Sequence, residues 1–203
     1  MLRYLVFGLA LFSFTFFVKA QTVDSTSPSA VITELNSTLM DVMKNAVKLK
    51  YKGRYQKLEP VIKRSHDLAT IARITVGRNW RKFSEPEKQQ LVDKFTEYSV
   101  ATYADRFNGY GGEAFIVQGE EPIKGSKMLV KALLTVPEGE DIQFEYILSE
   151  KDGSWHIVNI IVDGVSDIAL KRSQFTTTLS NEGLDALLGW LSEKVTGYEK
   201  KAE

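Results

Sequence analysis

A chain of 203 residues with 26 basic and 26 acidic side chains has room for one domain with a real core and short appendages, and not for two full domains. Its charges are interspersed along the chain, so nothing in the sequence suggests the basic face that releases counterions from a phosphate backbone, and nucleic acid is not expected as a partner. With no cysteine, thiol catalysis, zinc–thiolate sites and iron–sulfur clusters are excluded, and the apolar core must hold the fold without disulfides.

Residues 1–20 read as an export leader. Arg3 precedes an apolar run from Leu5 to Val18, which is too short to span a bilayer, and Val18-Lys19-Ala20 offers small residues at the −3 and −1 positions of a cleavage site before Gln21. An uncleaved anchor is the alternative. Cleavage after Ala20 removes Arg3 and Lys19, leaving 24 basic against 26 acidic residues, a net charge of about −2. Residues 21–30, QTVDSTSPSA, are polar and predict a disordered start to the mature chain. A single domain then runs over 31–196, followed by a polar, frayed tail over 197–203.

From Val31 onward, Ile32, Leu35, Leu39, Val42, Met43, Ala46 and Leu49 recur at spacings of three and four and predict one helix of about 20 residues. The basic stretch KGRYQK at 52–57 reads as a solvated helix face. Glu59-Pro60 opens a second helical segment carrying Leu68, Ile71 and Ala72, closed by Gly77. Ser84, with Pro86 and Glu87 at capping-box spacing, starts a third helix whose buried face holds Leu91, Phe95, Tyr98, Thr102 or Tyr103, and Phe107.

After Gly111-Gly112 the period changes to two. Ala114 to Gln118, Lys127 to Val136, Ile142 to Leu148 and Trp155 to Val162 predict an antiparallel meander of about four strands, turning at Pro137-Glu138-Gly139 and Lys151-Asp152-Gly153. Leu129 and Leu133 on one strand, and Ile157 and Ile161 on another, make both sheet faces apolar, so helices or a ligand should cover the second face. Ser166 caps a further helix carrying Ile168, Leu170 or Lys171, Phe175 and Leu179, and Gly183 separates it from a last one with Leu184, Leu187, Leu188 and Leu191.

Chemical motifs are weak. GYGGEA at 109–114 matches the dinucleotide pattern G-x-G-x-x-[G/A], but it follows a helix and precedes a strand, the reverse of the order that points a helix N-terminus at a pyrophosphate. Its glycines read as a helix-to-strand joint. Ser166 lacks the glycine of a nucleophile elbow, because Ile168 stands there, and reads as a helix cap. His66 and His156 form no metal spacing, no calcium loop is present, and no cofactor is indicated. Glu85, Glu87, Glu97, Asp105, Glu120 and Glu121 read as solvated carboxylates. Asn36 begins a glycosylation sequon inside a helical pattern, which carries little weight.

Three segments together carry a resemblance: HDLATIARITVGRNWRKFSEPEKQQLVDKF (66–95), YSVATYADRFNGYGGEAF (98–115) and IVDGVSDIALKRSQFTTTLSNEGLDALLGWL (161–191). They resemble the MlaC, or toluene-tolerance, family of exported lipid-binding proteins, and RFNGYGGEAF is most similar to the HpnM branch associated with hopanoid lipids. One departure is His66, where the family often has an aromatic before the aspartate. The resemblance implies a cone-like curved sheet related to the nuclear-transport-factor fold, closed by helices over an apolar pocket for lipid chains during periplasmic transfer.

The expectation is thus an α+β protein acting as a monomeric periplasmic carrier, with no catalytic residue and no metal. Its ligand would be a phospholipid or hopanoid, exchanged with an inner-membrane transporter complex and an outer-membrane donor or acceptor. Helix and strand periodicity nominate Phe95, Tyr98, Tyr103, Phe107, Phe115, Leu133, Phe144, Tyr146 and Val162 as lipid-binding residues. The rival readings are an isomerase or hydrolase on a cone fold, with a pocket carboxylate or His156 as base, and a structural envelope protein that binds a partner.

Overall fold

The computed structural model describes residues 27–201, so the leader and most of the polar segment after it lie outside the described residues. Helix α1 is Pro28–Lys44; Ser27 caps it by accepting from the Ala30 amide at 3.1 Å, which starts the helix within the segment expected to be disordered. It ends before the predicted Leu49, because Asn45 turns back and its amide side chain donates to the Asp41 carbonyl and carboxylate, both at 2.9 Å. Helix α2, Ala46–Ser65, is broken at Lys50 (φ 52°, ψ −174°) and passes through Pro60 instead of starting there.

At His66 the chain becomes extended and bridges to Ile157, with the Asp67 amide donating to the Ile157 carbonyl at 3.0 Å. This contact with the sheet divides the segment expected to run from Pro60 to Gly77. Asp67 then caps α3, Leu68–Val76, by accepting from the Thr70 amide at 3.0 Å. A 3-10 segment, Gly77–Lys82, leads to α4, Glu85–Arg106, which opens with the expected Ser84/Glu87 capping box. Helix α4 buries Leu91, Phe95, Tyr98, Val100, Ala101 and Ala104, and such all-round burial marks it as the central helix.

The sheet is an open antiparallel meander of β1 Ala114–Ile123, β2 Lys127–Thr135, β3 Ile142–Lys151, β4 Ser154–Val162 and β5 Val165–Ser166. The fifth strand, beyond the four expected, arises because Asp163 and Gly164 both take positive φ (49° and 79°) and close a tight hairpin. Register shifts at Val117/Gly119 and at Ile147/Leu148 mark bulges that curve the sheet.

The concave face presents Val130, Ala132, Leu134, Tyr146 and Leu148, all buried under helices. On the other face Leu129, Leu133, Ile147 and Ile161 remain half-buried and Ile116 is 49 % exposed, so the expected full cover of that face is absent among the described residues. Cross-strand pairing of Leu129 with Ile147 and of Leu133 with Ile116 shields these side chains in part.

Helix α5, Asp167–Asn181, is capped by Ser166, and α6, Gly183–Lys201, begins at Gly183 with φ 87°. The tail expected to fray is helical as far as Lys201, whose ammonium lies 3.6 Å from the Asp105 carboxylate. Arg54, expected on a solvated face, is instead 5 % exposed; its Nε donates to the Ala104 carbonyl at 2.9 Å, placing a cation at the C-terminal end of α4.

Candidate functional site

Between α4 and the concave face lies a cavity of about 720 Å³. Apolar side chains from every layer wall it: Leu39 and Met43 from α1, Ile71 from α3, Phe95 from α4, Leu134 from β2, Phe144 from β3, Ile160 and Val162 from β4, and Ile168 from α5. Both its size and its wall suit an extended apolar ligand.

An aromatic series runs around the cavity from helix to sheet. Ring centroids are 5.8 Å apart for Tyr103 and Phe107, 6.3 Å for Phe107 and Phe115, 5.7 Å for Phe115 and Phe144, and 5.8 Å for Phe144 and Tyr146. Of the nine nominated residues, Phe95, Tyr103, Phe107, Phe144, Tyr146 and Val162 reach the wall. Phe115 stands behind it, against Phe107 and Phe144. Tyr98 belongs to a separate cluster joining α4, α5 and α6, where its ring is 5.6 Å from that of Trp190.

Leu133 lies off the wall, on the opposite face of β2. The β2–β3 register pairs Phe144 with Ala132 and Tyr146 with Val130, so Leu134 shares their face and Leu133 does not. The alternation set Met128, Val130, Ala132, Leu134 and Val136 was visible in the sequence; the strand pairing decides which set turns inward. None of the three tryptophans lines the cavity: Trp155 is on β4, Trp190 on α6, and Trp80 on the 3-10 segment.

Among the polar groups that interrupt the wall are His66 and Lys171. His66 is buried, with Nδ1 at 3.2 Å from the Ile62 carbonyl and 2.8 Å from Ser65 Oγ, and Nε2 at 3.1 Å from the Tyr103 hydroxyl. Burial lowers its pKa to about 4, against the opposing Ile62 hydrogen bond, so at neutral pH the ring is uncharged and Tyr103 donates to it. Lys171, 14 % exposed, is ion-paired to Asp167 one turn earlier on α5, and Arg106 is close enough to weigh on its charge. Burial lowers the Lys171 pKa. The sequence left Leu170 and Lys171 as alternatives; Leu170 is 61 % exposed and Lys171 forms the wall.

The GYGGEA joint forms part of the rim, with Gly109, Tyr110 and Glu113 on the wall. Gly112 has φ 104°, and a Cβ there would meet Pro137 Cγ at 3.0 Å, so the joint's close approach to the β2–β3 turn requires glycine. Ser166 Oγ accepts from the Ala169 amide at 3.3 Å and donates to Asn159 Oδ1 at 3.2 Å, as a cap does. His156 is off the wall, with Nδ1 3.1 Å from the Ser154 carbonyl. The six carboxylates read as solvated all lie off the wall: Glu85, Glu97, Glu121 and Asp105 pair with lysines, Glu87 caps α4, and Glu120 accepts from Ser29. Among the described residues no cluster of three metal-ligating side chains occurs, and no helix is long and apolar enough to cross a membrane.

The family model described as MlaC protein matches residues 33–193, nearly all of the folded region. The chain belongs to the MlaC family. It is 23 % identical over 180 residues to toluene tolerance protein ttg2D of Pseudomonas putida, covering 85 % of this chain and 83 % of that protein. A phospholipid-binding protein from Ralstonia solanacearum, solved in complex with a phospholipid, has the same fold at 17 % identity and a TM-score of 0.72, over 83 % of this chain and 97 % of that one. The curved antiparallel sheet closed by helices is therefore the fold that this phospholipid-bound protein also adopts.

Proposed function

We propose that the mature chain, released by cleavage after Ala20, is a monomeric periplasmic carrier. It would shield the apolar part of one lipid and pass it between an inner-membrane complex and an outer-membrane partner. The observation that carries this reading is the cavity of about 720 Å³, whose apolar wall joins a small charged group, Arg106, Asp167 and Lys171. Acyl chains lie along Phe95, Phe144, Leu134 and Ile160, where each methylene removed from water contributes about 0.8 kcal/mol. The polar end of the lipid meets the charged group. No bond is made or broken.

That charged end favours a phospholipid over a hopanoid, although the RFNGYGGEAF resemblance keeps a hopanoid in view. The test is to extract the purified mature protein with organic solvent and examine the extract by mass spectrometry. A co-purifying lipid at about one per chain is the expected result, and its mass tells phospholipid from hopanoid. A clean extract from a protein that also takes up no lipid from vesicles would overturn the carrier reading.

A further inference from the structure

Outside the cavity, four arginines converge on a second, shallow cleft of about 230 Å³: Arg73 at the end of α3, Arg78 and Arg81 on the 3-10 segment, and Arg172 on α5. All four are exposed. Among the described residues none of them is ion-paired, and none donates a side-chain hydrogen bond to another residue. The nearest acidic residues in sequence are committed elsewhere, Asp67 to the Thr70 amide, Glu85 to Lys88 at 2.6 Å, Glu87 to the Ser84 cap and Asp167 to Lys171. Lys82 adds a further exposed positive charge beside them.

Two local features keep the cleft open and shape what it accepts. Gly77 turns the chain at φ 56°, and the Arg172 guanidinium lies over it where a Cβ would meet Nη2 at 3.3 Å. Trp80 forms part of the cleft, half-buried, with the Lys88 ammonium 5.7 Å from its ring centroid. Unpaired guanidiniums bind phosphate oxygens in bidentate fashion, and an indole is at home at the level of lipid headgroups. In a mature chain with a net charge of about −2, such a cluster is a local positive field and not a general property of the surface.

We propose that this arginine cleft docks the protein on an anionic phospholipid bilayer surface, its guanidiniums on headgroup phosphates and Trp80 at the interface. The proposal rests on the carrier reading, which gives the chain a reason to meet a bilayer. Arg172 follows Lys171 directly on α5, so docking there holds the bilayer beside a helix that also walls the cavity.

The experiment is flotation of the mature protein with vesicles of phosphatidylcholine alone and of phosphatidylcholine with phosphatidylglycerol. Binding to the anionic vesicles that weakens with salt is expected, and the Arg78→Gln/Arg81→Gln double variant should lower it on the order of 20- to 30-fold. Arg78→Lys/Arg81→Lys should retain most of it. Lys48→Gln/Lys52→Gln on α2, which removes the same charge from another exposed site, should leave it unchanged. Equal binding to neutral vesicles, or equal losses in the α2 variant, overturns the proposal. Capture on a polyglutamate peptide without vesicle binding also overturns it and assigns the cleft to an acidic protein. Solvent extraction of the same samples separates the two readings: lipid-loaded protein that ignores anionic vesicles defeats the docking proposal alone, while lipid-free protein defeats the carrier reading.

Discussion

His66, which departs from the aromatic that the resemblance leads one to expect before Asp67, pairs with Tyr103 through a neutral ring whose pKa burial lowers from 6.5 to about 4. As pH falls, the unfolded chain takes up this proton first. Stability fully present above about pH 6.5 is therefore lost progressively toward pH 4, on the order of 3 kcal/mol from this group. Urea unfolding at pH 7 and at pH 4.5 should show the fall, and His66→Phe, which cannot titrate, should flatten it; an unchanged slope in the variant would remove His66 as the cause. The departure itself was legible in the sequence, but its partner was not, because 37 residues separate His66 from Tyr103. Arg54 was misread for a related reason. A basic run looks solvated unless the helix end it reaches, Ala104, is known.

At the level of elements, the helices and strands were legible wherever a periodic stripe or a capping pattern named them, as with Ser84 and α4. Breaks at Asn45, Lys50 and His66 were not, because each depends on a contact or backbone angle that periodicity does not encode. The sheet illustrates the same limit. Its strands were plain, yet the inward parity of β2 follows from pairing with β3, which exchanges Leu133 for Leu134 at the cavity. Leu134→Trp should lower lipid retention several-fold while the domain stays folded, since the new ring has the cavity to enter, whereas Leu133→Trp on the far face should retain lipid as the parent does. Extraction and mass spectrometry of both variants check this, and emptying by Leu133→Trp alone would contradict the register argument.

For the whole molecule, the cavity replaces what would otherwise be core, so cargo and stability are linked. Loading should raise the melting temperature, because a ligand bound only by the folded state stabilises it in proportion to the logarithm of its concentration over Kd. Affinity should climb by about 0.8 kcal/mol per added methylene in a series of single-chain lipids, then level off once the chain outgrows the cavity. Calorimetric titration across such a series measures this, and affinity independent of chain length would show that the wall does not hold the chain. A chain without cysteine depends on apolar packing for its stability, so removal of lipid should leave a measurably softer protein.

The placement of the tryptophans has a practical consequence for such measurements. With Trp155 on the sheet, Trp190 in the helical aromatic cluster and Trp80 in the arginine cleft, cargo can enter and leave with no indole at its side. Tryptophan emission, excited selectively over that of tyrosine, should therefore be silent to loading, change on unfolding, and shift through Trp80 when the protein meets an anionic vesicle. One fluorophore type, already present in the native chain, then distinguishes docking from cargo exchange in real time.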